Sequence, residues 1–255
     1  MQPDAHDQTS PTLLLYHTDS YVSTFEARIQ ARRGQSVALD RTAFFPGGGG
    51  QMADRGTLKV DGTAVPVVSL RKEGDIVWHE LAHEVPGGAG DTVTGTLDWA
   101  FRYQMMRTHT ALHMLCGIIF RDFGAQVTGG QMYPDRARMD FSMETFTHEC
   151  VRDIEERVNE AVAADHPVKV YSLPRAQAFE IPDLIRTKIN LLPPQIETVR
   201  IVEIVGLDLQ ADGGTHVRST REVGGLTILK TENKGKFNKR MEIAVAALPV
   251  ASVDA

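Results

Sequence analysis

The chain has 255 residues, of which 42% are hydrophobic and 24% charged, and its formal net charge is −6. This balance is typical of a soluble globular protein, and the length is sufficient for one large domain or two smaller ones. An acidic composition excludes a generally basic nucleic-acid coat protein, although it allows a local basic patch.

The sequence indicates neither membrane insertion nor secretion. No run approaches the ~18 apolar residues of a membrane span, and residues 1–10 are polar and lack the features of a signal peptide. The two cysteines, Cys116 and Cys150, are too few for a disulfide framework. We therefore expect a cytoplasmic protein with reduced thiols and no membrane partner, in which residues 1–10 form a loose tail.

Residues 11–97 are predicted to form a small β-barrel domain. Short apolar or alternating runs recur there, and turn signals such as Asp61-Gly62 and Glu73-Gly74 separate them. Runs of this length and spacing are typical of a compact β domain. They cover residues 12–16, 23–30, 36–40, 56–60, 65–70, 76–79 and 92–97.

A run of four glycines, Gly47 to Gly50, interrupts this domain and is followed by Gln51. Such a run is costly in conformational entropy and contributes nothing to a core. It is therefore either a flexible hairpin end or a loop whose backbone approaches a ligand, such as a phosphate or a nucleotide. It is not a Walker loop, because no Lys followed by Ser or Thr comes after the glycines.

Residues 98–255 are predicted to form an α+β domain with helices packed on an antiparallel sheet. Residues 99–123 carry apolar side chains at helical spacing, and residues 147–164 form a second amphipathic pattern. Strands are predicted at 138–142, 168–173, 199–205, 226–231 and 241–246, and short helical pieces at 175–179 and 182–187. The predicted fold class of the chain is therefore α+β, with the barrel domain first.

Two histidines of the long helix, His109 and His113, are four residues apart and share one helix face. Spacing alone does not distinguish a metal site from two ordinary histidines. A zinc-protease motif is excluded, because it needs Glu directly after the first histidine and this chain has Thr110 there. About a hundred residues downstream, the glycines of Asp212-Gly213-Gly214-Thr215-His216 allow Asp212 and His216 to face a common centre. Three histidines and one aspartate suit one tetrahedral zinc ion per chain.

Cys116 is an alternative fourth ligand, because it follows His113 by three residues on the same helix face. Buried cysteines are more commonly inert core residues. We therefore predict His109, His113, Asp212 and His216 as the metal ligands, with Cys116 as the alternative to Asp212.

Residues 230–240 carry five basic residues and one acidic residue in an otherwise acidic chain. This basic hairpin is either a solvated tip or a contact for nucleic-acid phosphates, with Phe237 available to stack on a base. The candidate phosphate contacts are Lys234, Lys236 and Arg240.

The ordered set of motifs resembles the AlaX family of freestanding editing proteins and the editing domain of alanyl-tRNA synthetase, over nearly the whole chain. Besides the metal motif, the resemblance rests on Thr42-Ala43-Phe44-Phe45-Pro46 with the following glycines and Gln51, Arg138-Met139-Asp140-Phe141-Ser142, Asp208-Leu209-Gln210, and Thr220-x-Glu222-Val223-Gly224. One departure is Asp212, where the family usually has Cys. A carboxylate is a harder ligand, so we expect a weaker and less zinc-selective site.

The resemblance implies a zinc-dependent hydrolase that deacylates mischarged tRNA(Ala), usually carrying serine and sometimes glycine. Its partner would be the acceptor end of that tRNA. The resemblance points to Thr42 as the group that recognises the cargo hydroxyl, with Gln131 as a weaker candidate, and to Gly48, Gly49, Gly50 and Gln51 as substrate contacts. Because Asp212 replaces a cysteine, the alternative is a zinc- and tRNA-binding module without hydrolytic activity. An unrelated metal-dependent esterase, active without tRNA, is a third hypothesis.

Overall fold

The computed structural model describes residues 9–144, 147–189 and 192–247. Contacts divide the chain into an N-terminal unit, which comprises residues up to 48 together with 52–103, and a C-terminal unit, which comprises residues 49–51 and those from 104 onward. Helix α1 (Trp99–Phe123) begins in the first unit and ends in the second. The domain boundary predicted between residues 97 and 98 remains a prediction.

A closed antiparallel barrel forms the N-terminal unit, with the strand order β2-β3-β7-β6-β5-β8. A short parallel pair, β1 with β4, lies outside this sheet. The strands are β1 (Leu13–Leu14), β2 (Thr24–Arg33), β3 (Ser36–Leu39), β4 (Arg41–Thr42), β5 (Gly56–Val60), β6 (Thr63–Glu73), β7 (Ile76–Leu81) and β8 (Thr92–Leu97).

The barrel forms because its strands alternate apolar and polar side chains, which places one face of each strand inside. In β2, the residues Phe25, Ala27 and Ile29 are buried, and the residues between them are exposed. Leu58 and Val60 of β5 join the same apolar core. The predicted barrel is therefore confirmed.

A buried ion pair ties the start of α1 to loops of the same unit. Arg102 and Asp54 are both fully buried, and the guanidinium also donates to the carbonyl oxygens of Ser20 and Ala43. Asp54 accepts a further hydrogen bond from the Phe45 amide at 2.6 Å. The carboxylate is thus fully occupied by protein donors.

The C-terminal unit contains two antiparallel sheets, a four-stranded one with the order β14-β15-β10-β9 and a three-stranded one with the order β11-β12-β13. Helix α2 packs against β14. The elements after α1 are β9 (Val127–Met132), β10 (Ala137–Phe141), α2 (His148–Ala164), β11 (Val168–Pro174), α3 (Arg175–Ala178), β12 (Thr198–Ile204), β13 (Asp208–Ala211), β14 (Leu226–Asn233) and β15 (Lys239–Val245). The predicted α+β class is confirmed.

The structure corrects several predicted elements. Residues 182–187 are not helical: Asp183 has a positive φ of 54°, and the Leu184 carbonyl accepts a hydrogen bond from Ala211. The run at 12–16 is only partly a strand, because Leu15–His17 forms a 3-10 turn. Strands β9 and β13 were not predicted. Within the described residues, no helix has the length and apolar character needed to cross a membrane.

Candidate metal centre

Four predicted ligands meet in the C-terminal unit. Helix α1 places His109 and His113 one turn apart, and the loop after β13 brings Asp212 and His216 to the same face. One ligand atom from each residue lies within 4.8 Å of all the others. The side chains of the three histidines are at most 8% exposed, whereas that of Asp212 is 19% exposed.

Each histidine ring is oriented by a partner at its Nδ1 atom. His109 Nδ1 lies 3.0 Å from Gln51 Oε1, and His113 Nδ1 lies 3.0 Å from Asp208 Oδ2. His216 Nδ1 lies 3.1 Å from the Thr110 hydroxyl. The Gln51 amide oxygen and the Asp208 carboxylate accept, so they hold the proton of His109 and His113 on Nδ1 and leave each Nε2 lone pair for a metal ion. The Thr110 hydroxyl can donate or accept, so it orients the His216 ring without fixing its tautomer.

The Nε2 atoms face the Asp212 carboxylate. Its Oδ1 is 3.5 Å from His109 Nε2 and 4.0 Å from His113 Nε2, and its Oδ2 is 3.1 Å from His216 Nε2. Tetrahedral zinc, with bonds of about 2.0–2.1 Å, separates its ligand atoms by about 3.4 Å. The three distances bracket that value, and the four donor atoms lie within 4.8 Å of one another, so the donor set fits one ion once the side chains draw together.

At three of the four residues, the electrostatics of the cluster favour the protonation state that metal binding requires. Burial lowers the pKa of His109 to about 4, and burial together with the neighbouring His109 lowers the pKa of His216 well below its usual range. Burial alone would raise the pKa of Asp212, but the three histidines hold it well below its usual range. At neutral pH the centre therefore combines two neutral imidazoles, those of His109 and His216, with the ionised carboxylate of Asp212.

His113 differs from the other two histidines. Burial opposes its protonation, but the hydrogen bond and the charge of Asp208 outweigh burial and raise its pKa. The same carboxylate accepts a hydrogen bond from Gln210 Nε2 at 2.7 Å. Asp208 is thus the partner that outweighs burial at His113.

Gly214 allows the ligand loop to approach the histidines. A Cβ atom at this position would lie 2.4 Å from His109 Cε1 and 2.7 Å from Gln51 Oε1, distances at which atoms overlap. A Cβ atom at the neighbouring Gly213 would meet nothing within 4 Å. The second glycine of the motif is therefore the one that the site geometry requires.

Comparison with known proteins finds similar sequences along most of the chain. Residues 199–242, which include Asp212 and His216, match the family described as threonyl and alanyl tRNA synthetase second additional domain, and residues 7–101 match tRNA synthetases class II (A). The alanyl-tRNA editing protein AlaX-M of Saccharolobus solfataricus is 42% identical over 91% of this chain and 98% of its own length. The chain belongs to the AlaX-M family of alanyl-tRNA editing proteins.

Other proteins are similar in sequence to this chain over a comparable length. The AlaX-M protein of Methanosarcina mazei is 40% identical over 90% of this chain and 95% of its own length. An alanine–tRNA ligase from Metallosphaera sedula is 36% identical over 87% of this chain, which corresponds to 25% of the ligase. The resemblance predicted from the motifs is therefore confirmed, and an AlaX-type chain matches one part of a longer ligase.

The alternative ligand of this AlaX-M member, Cys116, lies outside the cluster. The group of described residues that could hold an ion consists of the three histidines and Asp212. Cys116 is 1% exposed, and burial raises the pKa of its thiol, with the charge of Asp208 adding to the effect. A buried neutral thiol is a poor metal ligand.

The glycine-rich loop contributes to the metal centre through Gln51. Its side-chain oxygen accepts from the Thr215 amide at 3.1 Å as well as facing His109, and its Nε2 donates to the Thr215 hydroxyl at 2.8 Å. Gly49 and Gly50 also belong to the C-terminal unit, and the Gly50 carbonyl accepts from the Met132 amide. Sequence reasoning predicted Gln51 as a substrate contact and missed its position beside a ligand.

The other predicted polar residues have defined partners. In the N-terminal unit, which also contains Gly48, Thr42 is fully buried and its hydroxyl lies 2.8 Å from His79 Nε2. Gln131, on β9 of the C-terminal unit, donates to the Met132 carbonyl at 3.2 Å and is partly buried. Their roles toward a substrate remain predictions.

The basic hairpin joins β14 to β15. At its tip, Phe237 is 55% exposed and Lys236 Nζ lies 5.0 Å from the centre of its ring. Lys234 pairs with Glu232 at 3.2 Å. Arg240 donates to both oxygens of Asp140, at 2.7 and 2.8 Å, so this predicted phosphate contact is already engaged within the chain.

Sequence reasoning also missed the roles of two partners of the ligands. In the sequence, Asp208 stands out only as part of the Asp208-Leu209-Gln210 motif, and Thr110 only as the residue that excludes a protease motif. A helical position beside His109 gave Thr110 no special signal. A carboxylate four residues before Asp212 was the available signal for Asp208, because metal-binding histidines commonly donate to carboxylates.

Proposed function

We propose that this AlaX-M family member is a zinc-dependent hydrolase that deacylates mischarged tRNA(Ala) in the cytoplasm. Seryl-tRNA(Ala) is the main substrate of the proposal, and glycyl-tRNA(Ala) is the second. The observation that carries it is the convergence of three oriented histidines on an ionised Asp212 within an alanyl-tRNA editing family. Family membership supports the tRNA, and the donor set supports zinc.

The four ligands are proposed to hold one zinc ion near the ester that joins the amino acid to the terminal ribose. Bound there, zinc would supply Lewis-acid chemistry: it could position or acidify a water molecule, or hold polar groups of the ester. The more exposed Asp212 is the ligand expected to face the substrate. The histidines, which are buried and fixed at Nδ1, keep the geometry of the centre.

Selection of serine over alanine requires a group that bonds the extra hydroxyl, because size alone would favour the smaller alanine. We assign this role to Thr42, with Gln131 as the second candidate. The Thr42 hydroxyl is buried against His79, so this role requires an opening that admits the cargo. Thr42→Val should reduce release of serine more than release of glycine, whereas Thr42→Ser, which keeps the hydroxyl, should preserve the ratio.

Contacts to the tRNA are assigned to the loop from Gly48 to Gln51 and to the basic hairpin. Lys234 and Lys236 lie at the exposed tip, and Phe237 offers an aromatic face beside them. Arg240 can contact a phosphate only if it shares or leaves Asp140. We therefore expect the two lysines to contribute more than Arg240 to tRNA binding.

The deciding experiment is deacylation of seryl-, glycyl- and alanyl-tRNA(Ala) by the wild-type protein and by His113→Ala. Each protein is tested after chelation and again after zinc is added back. Release of serine but not alanine, dependent on zinc and lost in the variant, is expected. If the wild-type protein binds both metal and tRNA yet releases no amino acid, the enzyme hypothesis is wrong and the binding-module alternative stands. Release from small esters as efficient as from tRNA would favour the unrelated esterase.

A further inference from the structure

Arg186 lies next to Asp208, behind the metal centre. The Arg186 side chain is 14% exposed, and its Nε atom is 3.6 Å from Asp208 Oδ1, close enough for an ion pair but too far for a hydrogen bond. The Asp208 side chain is fully buried. Its two oxygens therefore have different neighbours: Oδ2 lies near His113 and Gln210, and Oδ1 faces Arg186.

The charge of Arg186 is the specific feature of this contact. Asp208 Oδ1, Arg186 Nε and Arg186 Nη1 are buried and have no hydrogen-bond partner among the described residues. A buried carboxylate oxygen without a donor is unfavourable unless a nearby positive charge compensates for it. Arg186 supplies that charge on the side of Asp208 opposite His113.

The chain around Arg186 holds the guanidinium in this place. The segment is not the helix that the sequence predicted but forms an isolated bridge from Thr187 to Val127, and the Arg186 carbonyl accepts from the Val127 amide at 3.0 Å. The guanidinium carbon lies 3.8 Å from the centre of the Phe120 ring, a cation–π contact. Phe120 is two helical turns after His113 on α1, so Arg186 packs along the helix that carries a ligand.

We propose that Arg186 is a positioning residue of the metal centre, which acts through Asp208 on His113. By fixing the buried carboxylate, it keeps Asp208 Oδ2 at the Nδ1 atom of His113 and thereby keeps Nε2 aimed at the ion. This inference rests on the metal binding in the proposed function and not on the hydrolysis. It extends the centre from the four ligands to a chain of contacts from Phe120 through Arg186 and Asp208 to His113.

The test compares zinc affinity in the full-length protein, measured by competition with a chelator. Arg186→Met removes the charge but keeps an apolar chain over Phe120, and it should weaken zinc binding by about 10- to 100-fold. Arg186→Lys keeps a positive charge and should recover most of the affinity. The matched control is Arg175→Met: Arg175 also lies over a phenylalanine, Phe179, but its Nη1 atom donates to the carbonyl oxygens of Pro193 and Ile196. We expect zinc affinity within about twofold of wild type for the control.

Two further readouts separate positioning from a general loss of structure. In an Asp208→Asn background, the added Arg186→Met change should have little further effect, because its route to His113 is already removed. At saturating cobalt, used as a spectroscopic probe for zinc, Arg186→Met should change the visible absorption spectrum, since the orientation of His113 differs. Where Arg186→Met does not fold, Arg186→Gln takes its place.

The inference is overturned if Arg186→Met binds zinc within twofold of wild type with an unchanged cobalt spectrum. It is equally overturned if Arg175→Met loses as much affinity, or if the wild-type protein binds no zinc. A wild-type protein that binds zinc normally but releases no amino acid would overturn the proposed hydrolysis and leave the role of Arg186 intact.

Discussion

Histidines are buried in both units, but their ring nitrogens are used in opposite ways. In the barrel, His79 has partners for both nitrogens: the Thr42 hydroxyl lies 2.8 Å from Nε2, and the Val37 carbonyl lies 3.3 Å from Nδ1. In the metal centre, the Nδ1 atoms of all three histidines have such partners, whereas the Nε2 atoms face a carboxylate. Burial alone therefore does not mark a ligand. The mark is a group of ring nitrogens that face one shared carboxylate, on rings already oriented by partners at Nδ1.

The buried carboxylates of the two units show the same difference. Asp54 is occupied by Arg102 and by the Phe45 amide, so it has no capacity for an ion. Asp212 accepts from the Gly214 amide at 2.6 Å and lies 3.8 Å from Arg200 Nη1, and both of its oxygens also face histidines. A fully paired carboxylate stabilises the fold, and one directed at imidazoles is suited to a metal.

Removal of a ligand should have the largest effect on zinc binding, and it separates the histidines of the metal centre from His79 most directly. Zinc in a structural site contributes about 10–16 kcal/mol over four ligands, so one ligand accounts for roughly 2.5–4 kcal/mol. His216→Gln should therefore weaken zinc binding by about 100- to 1,000-fold, measured by chelator competition. His79→Gln should leave zinc affinity unchanged while lowering the free energy of unfolding. Equal zinc affinity in His216→Gln and the wild type would contradict the assigned ligand set.

The pH dependence of stability should identify His79 as a purely structural histidine. Burial lowers its pKa from 6.5 to about 4 in the folded protein, with backbone hydrogen bonds opposing the shift. As pH falls below 6.5, the unfolded chain binds a proton that the folded chain does not, so stability is lost until about pH 4. The loss amounts to about 3 kcal/mol.

This loss can be measured by denaturant unfolding in the presence of a chelator. Trp78 and Trp99 both lie in the N-terminal unit, so tryptophan fluorescence reports on that unit. The wild type should lose more stability than His79→Gln between pH 7 and pH 4.5. Parallel pH profiles for the two proteins would show that His79 does not titrate as the burial predicts.

A methyl group at Gly214 should disturb the centre without removing any ligand. Its Cβ atom would overlap the His109 ring, and overpacking of this kind costs about 1–3 kcal/mol. We expect Gly214→Ala to weaken zinc binding by up to about 100-fold. Gly213→Ala is the matched control, because its Cβ atom meets nothing within 4 Å. Equal losses in both variants would mean that loop flexibility, and not the close approach, matters.

Much of the fold follows from local patterns in the sequence. The alternating strands of the barrel and the long helix with its two histidines were predicted because each repeats apolar residues at the period of its structure. Strand β9 was missed because Gly129, Gly130 and Gln131 interrupt its apolar pattern, and β13 because it has only four residues. The segment 182–187 was wrongly predicted as helical, because its contacts with β9 and β13 are distant in sequence.

For the candidate site, the sequence predicts the four ligand positions but not the residues that orient them. The ligands could be proposed because the two motifs have recognisable spacing, although they are about a hundred residues apart. The partners at Nδ1 could not, since Gln51, Thr110 and Asp208 come from three separate parts of the chain. Only the fold brings a glutamine from a glycine-rich loop to a histidine 58 residues later.

Substitution of Gln51 should give the smallest change in zinc affinity. It is also the test that best distinguishes two roles, because the sequence suggests a substrate contact and the structure suggests a partner of His109. Gln51→Leu removes the acceptor for His109 Nδ1 and should weaken zinc binding by about 10-fold, the low end for such partners. Gln51→Glu retains that acceptor and adds charge, so it should bind zinc at least as tightly as the wild type. A negative charge would instead repel the phosphates of tRNA if Gln51 were mainly a substrate contact. Normal zinc affinity in both variants, together with weaker tRNA binding in Gln51→Glu, would therefore return Gln51 to the role that the sequence predicted.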